Sequence, residues 1–134
     1  MQKFPLTVSI LIAVVVLPHS TNAGYINNYS DWKKMTIREQ GWYAIGLWDM
    51  SLVATPEENN YAKVNGLVRC GSVVKFNGVK LAEAMTKFYE VKATRASQPP
   101  IMAFYSEIIK GVCLEYVNKA RAGYGLKPWP KTED

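Results

Sequence analysis

Histidine occurs once in this chain, at His19, and cysteine only twice, at Cys70 and Cys113. His19 falls in an N-terminal segment that reads as removable. Without it the remaining protein can run neither a Ser-His-Asp nor a Cys-His mechanism, and it lacks the commonest zinc ligand. The two cysteines are far apart and form no C-x-x-C redox pair. No Asp-x-Asp-x-Asp-Gly calcium loop occurs, and the glycines match no phosphate-cradling spacing. Metals and cofactors are therefore not expected. Basic runs are short as well, none longer than Lys33-Lys34, so a nucleic-acid partner is not expected either. Past the first residues no apolar run approaches the length that a membrane-spanning helix needs.

The one long apolar run stretches from Phe4 to Leu17, broken only by Pro5, Thr7 and Ser9. Lys3 precedes it, and Pro18 and the small, polar Ser20-Thr21-Asn22-Ala23 follow it. A charged start, an apolar centre and small residues at Thr21 and Ala23 describe a secretory signal, with cleavage expected after Ala23. As a helix the run would span about 21 Å, short of the roughly 30 Å hydrocarbon core, which argues against an uncleaved anchor. No cysteine stands near the cleavage position, so a lipid anchor is not expected. Removing residues 1–23 takes only Lys3 from the 16 basic residues. That leaves 15 against 11 acidic ones, a net charge of +4 on a mature chain of 111 residues. The expected organisation is a signal peptide over 1–23, one helical domain over 24–125 and an extended tail over 126–134. Both cysteines survive cleavage, and in an oxidising compartment the expectation is a structural Cys70–Cys113 disulfide.

Within the mature chain the periodicity is helical. Ser30-Asp31-Trp32-Lys33 reads as a short first helix with Ser30 as N-cap. Thr36-Ile37-Arg38-Glu39 is a capping box, so a second helix should start at Ile37 and run to about Ala54, before Thr55-Pro56. Its apolar face combines Tyr43, Leu47, Met50 and Ala54 with Ile45, Trp48 and Leu52. Gly41 and Gly46 cost helix propensity and are expected to admit a close neighbouring helix. Glu57-Glu58-Asn59-Asn60 reads as an exposed loop. Residues 61–76 are ambiguous, because Val64, Leu67, Val68, Val73 and Val74 favour a strand while Gly66 and Gly71 interrupt one. Asn77-Gly78 is a turn, and Asn77 or Gly78 can start a helix over about 79–94, with Leu81, Met85, Phe88 and Lys92 on its apolar face and Ala84 and Val91 beside them. Ser97-Gln98-Pro99-Pro100 is a further break. A last helix should then run from about Ile101 to Ala122, with Ile101, Phe104 or Tyr105, Ile108, Val112 and Tyr116 as its apolar stripe, and stop at Gly123. The fold class expected is all-α, a small bundle of about four helices closed by one disulfide.

Carboxylates are the catalytic groups that remain: Glu39, Asp49, Glu57, Glu58, Glu83, Glu90, Glu107 and Glu115 could supply an acid and a base for glycan cleavage. Each also has a structural explanation, Glu39 as a cap and the others on solvated surfaces, so no catalytic residue is assigned and no enzyme is expected. Aromatic residues are more abundant than one small core needs, and tryptophan and tyrosine favour interfaces. Trp42 falls off the apolar stripe of its helix; it either packs near Trp32 on the first helix or stands exposed.

Two stretches resemble the Rap/Tai-type immunity proteins of bacterial type VI secretion. The first comprises Trp32, Met35, Glu39-Gln40, Tyr43, Gly46 and Asp49, similar to that family's opening helix pair. The second comprises Cys70, Val79-x-Leu81, Phe88-Tyr89, Pro99 and the segment Ile101 to Cys113, similar to its disulfide-closed helical hairpin. Family members often carry further cysteines near the first helix, which are missing here, and the Pro-Trp-Pro tail departs from the pattern. The resemblance implies a periplasmic, homodimeric protein that neutralises a peptidoglycan amidase effector by inserting a projecting loop into its cleft. On this sequence the loop would be Glu57-Glu58-Asn59-Asn60-Tyr61, with Arg95-Ala96-Ser97-Gln98 as a second choice. The alternatives are an envelope stress chaperone or structural component, and a carboxylate-dependent peptidoglycan glycosidase.

Overall fold

The computed structural model describes residues 26–131. The expected signal segment 1–23 and its expected cleavage position lie outside the described residues, as do the last three positions of the tail. Helix α1 spans Tyr29–Lys34 and is capped by Asn28, whose side chain accepts from the Asp31 N–H at 3.1 Å. The cap therefore lies two residues before the expected Ser30, which is itself helical. Asn and Ser cap about equally well, so residue preference alone does not separate the two positions. Trp32 is fully buried, and its indole N–H donates to the Thr86 hydroxyl at 3.0 Å.

Helix α2, Ile37–Ser51, begins with the capping box read from the sequence: the Glu39 N–H donates to the Thr36 hydroxyl and the Thr36 N–H to the Glu39 carboxylate. It ends three residues short of Ala54. Its buried face is Gln40, Gly41 and Ala44, with Tyr43 and Leu47 at the shoulder, whereas Met50 is 68% exposed. The ambiguous stretch resolves as helix α3, Glu58–Val74. Its glycines break no strand; they thin the helix where neighbours cross. A Cβ on Gly66 would collide with the backbone of Val117, and one on Gly71 would lie 2.8 Å from the Trp48 ring. Lys75 closes α3 in the left-handed region, φ 53°. Asn77 then caps α4, Gly78–Val91, by accepting from the Lys80 N–H at 2.9 Å. Leu81, Met85 and Phe88 are buried, as their spacing predicts. Helix α4 stops three residues before the expected end, and a 3₁₀ turn, Ala93–Ser97, follows.

The single last helix expected over 101–122 is three pieces: α5, Pro100–Ala103; a π-helix, Phe104–Val112; and α6, Leu114–Gly123. In a π-helix each N–H reaches back five residues, as Cys113 does to the Ile108 carbonyl at 2.9 Å. The extra residue per turn shifts the phase of the buried side. Phe104, Ile108, Cys113 and Val117 face inward, while Ile101, Tyr105 and Val112 of the expected stripe turn outward. The stop is also displaced. Gly123 is still helical, and Gly125 at φ 68° is the left-handed residue, with the Leu126 N–H returning to the Arg121 carbonyl in a Schellman closure.

The architecture is all-α, with no strand among the described residues. It has more helical segments than the four expected, because the ambiguous stretch 61–76 belongs to a helix of its own, α3, and the last helix is divided. Helix α2 lies against α4 at the Gly41–Gly78 crossing, α3 lies against α6 at Gly66–Val117, and the π-helix joins the two pairs by packing on α4. Gly46, expected to admit a neighbour, faces open space. The Cys70–Cys113 disulfide is present, with Cα atoms 5.5 Å apart and both residues fully buried. It ties α3 to the junction of the π-helix and α6. No described helix is long and apolar enough to cross a membrane.

Candidate functional site

The expected loop Glu57-Glu58-Asn59-Asn60-Tyr61 is the entry and first turn of α3. Glu57 occupies the N-cap position without a side-chain cap bond. Two of the five side chains are fixed from outside the segment. Asn60 donates to the Thr55 hydroxyl at 2.6 Å, and Asn59 accepts a hydrogen bond from the guanidinium of the buried Arg121. Glu57 and Glu58 point to solvent, and Tyr61 is 46% exposed. The segment is thus a rigid polar edge, not a projecting loop.

The second choice, Arg95-Ala96-Ser97-Gln98, is tied down by the 3₁₀ turn. Arg95 lies over the Phe88 ring at 4.5 Å, donates to the Phe88 carbonyl and stands 3.9 Å from the Glu107 carboxylate. The Gln98 carbonyl accepts from the Tyr89 hydroxyl at 3.1 Å. These contacts fasten α4 to the π-helix and half-bury Arg95 and Gln98, while Ala96 and Ser97 stay exposed.

Beside the 57–61 edge lies an apolar groove of about 200 Å³. Its floor is buried, formed by Leu67, Phe104 and Ile109, and its rim is exposed, formed by Met50, Ile101 and Tyr105. Trp129 closes one end, and Lys63 stands between the groove and a shallow polar recess bordered by Glu57, Asn59 and Asn60. Sequence reading missed this groove because its wall comes from the tail. The tail does not hang free: Asn118 and Trp129 exchange two hydrogen bonds, side chain to backbone, at 2.7 and 3.1 Å. Lys110 and Arg121 lie over the Trp129 ring at 4.9 and 5.3 Å, and Arg121 also donates to the Lys127 carbonyl. The signal available was Pro128-Trp129-Pro130 itself. A large apolar ring on a backbone stiffened by proline has little reason to sit in water.

No family model matches the chain, and no curated protein or solved structure matches it. Of the carboxylates weighed as catalytic, Glu39 is a cap: the Thr36 N–H and hydroxyl hold its carboxyl below the usual range. Asp31 is lowered likewise, by Lys34 first and the Asn27 N–H second. Such shifts favour the ionised form, the reverse of what a general acid needs. Among the described residues no three His, Cys, Asp or Glu side chains gather as a metal site would require. Trp42 stands 63% exposed on α2, and it is Tyr43 that meets Trp32, edge to face at 5.9 Å.

Proposed function

We propose that this is an exported, periplasmic protein-binding module that inhibits a cell-wall-degrading effector in the manner of an immunity protein. The observation that carries the reading is the pinned edge at the start of α3. Asn59 and Asn60 are held by Arg121 and Thr55, so the flanking Glu57, Glu58 and Tyr61 are presented on a backbone that is already ordered. A pre-ordered edge loses little conformational entropy on binding, which is where much of an interface's cost lies. The groove next to it supplies the apolar centre that a polar rim surrounds in a typical interface. The resemblance of the opening helix pair and of the disulfide-closed segment to the immunity proteins is the other ground of the proposal.

The test is enzymatic. The exported protein is titrated into peptidoglycan amidases of the effector type acting on purified sacculi, and muropeptide release is followed. Stoichiometric inhibition of one amidase, weakened by Glu58→Lys with Tyr61→Ala, is the expected result. Undiminished release across the amidase panel would remove the immunity reading.

A further inference from the structure

We propose that the groove between α2, α3 and the π-helix is a socket for one apolar side chain of a protein partner, taken from a segment that carries a carboxylate beside it. The inference rests on the protein-binding reading above and adds the chemistry that the partner presents.

Size comes first. Sites for small molecules and cofactors enclose about 300–1,000 Å³, whereas this groove holds about 200 Å³ and is open along one side. That volume suits a single leucine- or phenylalanine-sized group better than a lipid or a cofactor. The lining agrees, because the floor of Leu67, Phe104 and Ile109 is apolar and buried and offers no polar atom to orient a small ligand. The Trp129 wall is set by contacts from α6 and the π-helix, Asn118 holding its backbone and Lys110 and Arg121 lying over its ring, so the socket stands ready-made.

Charge then decides what accompanies the apolar group. Lys63 is the one charged residue lining the groove, and it has no ion-pair partner among the described residues. A second cation, Lys110, stands behind the two aromatic walls, 5.9 Å from the Tyr105 ring centre and 4.9 Å from that of Trp129. No acid lines the groove; Glu57 borders only the polar recess on the far side of Lys63. An apolar anchor next to a carboxylate satisfies both the floor and Lys63.

The probe is a capped pentapeptide, Ser-Asp-Leu-Asp-Ser, compared with Ser-Lys-Leu-Lys-Ser and Ser-Asp-Ser-Asp-Ser, titrated into the isotopically labelled exported protein. The acidic leucine peptide should shift the Trp129 indole N–H and the Ile101 and Ile109 methyls. The lysine peptide should bind roughly fivefold more weakly for each exposed ion pair lost, and the serine peptide should leave the groove unmoved. Lys63→Glu should reverse the preference between the two leucine peptides. Ile101→Glu, at a rim position that is half exposed, should abolish the shifts without unfolding the protein. Equal shifts from both charged peptides, no groove shifts up to the solubility limit, or groove shifts that follow protein concentration alone, as a second copy would cause, each overturn the proposal. Amidase inhibition without groove shifts would overturn this inference and leave the immunity reading standing. Groove shifts without inhibition would do the reverse.

Discussion

Gly66 of α3 lies directly against the Cα and N of Val117 in α6, with no room between the two backbones for a side chain. A methyl at Gly66 would meet main-chain atoms, which cannot rotate away. Helix propensity favours Gly66→Ala by about 1 kcal/mol, but overpacking against backbone costs about 1–3 kcal/mol or more. The steric effect should win. Gly66→Ala is expected to lower the urea midpoint, whereas Gly46→Ala, which faces open space, should raise it. Equal stabilisation by both substitutions would show that α3 and α6 do not approach as described.

Cys113→Ser should destabilise the fold by about 2–5 kcal/mol, since the disulfide spans 43 residues of chain and closing such a loop is worth about 4 kcal/mol in the chain-entropy account. The Cys70 thiol released would remain inside the core. Its alkylation in native buffer should therefore follow local opening and be slow, but become immediate in denaturant. Intact mass of the unreduced protein, two hydrogens below the dithiol value, checks the bond itself.

Asn118→Ala should free the tail. Both hydrogen bonds to Trp129 are lost, at a typical net value of about 1 kcal/mol each, and the ring loses its register under Lys110 and Arg121. Hydrogen exchange at the Trp129 amide should become fast while amides within α3 and α4 keep their protection. If tail exchange is unchanged, the clamp lies elsewhere.

Stability should fall at both extremes of pH for identifiable reasons. Glu39 is held below its ordinary 4.5 by the capping box, so its contribution is complete above that value and is lost as pH falls through the lower folded one. Glu39→Gln should flatten this acid limb. At the other end, burial first and the nearby Tyr43 phenolate second push Tyr89 up from 10.0 to about 12. The fold favours the neutral phenol, so its contribution is complete below pH 10 and is lost as pH rises from 10 towards 12. An absorbance titration at alkaline pH should show one tyrosine ionising late, and Tyr89→Phe should remove that step.

The local signals proved legible where the chemistry is local. The Thr36–Glu39 box and the Leu81-Met85-Phe88 positions depend on neighbours within a few residues, and both appear in the fold, although Val91 beside that face is exposed and the first cap is Asn28 instead of Ser30. Residues 61–76 could not be resolved that way. Gly66 and Gly71 look like breakers until Val117 and Trp48 are brought beside them, and both partners lie far off in sequence. The candidate site divides similarly. The polar 57–61 segment could be picked out by composition, but its rigidity depends on Arg121, some sixty residues away.

The sequence by itself determined the helical class, the two main capping signals and the cysteine pair, because hydrophobic period, short-range hydrogen bonding and the count of thiols need no tertiary information. Only the tertiary structure decided that the last helix widens into a π-helix, that the Pro-Trp-Pro tail folds back on α6, and that the two together enclose a groove. The physical reason is the same in each case. A π-turn, a stacked cation and a shared wall are each weak alone, and the core on which Trp129 packs is assembled from Leu67, Cys70, Phe104 and Ile108, which local sequence does not connect.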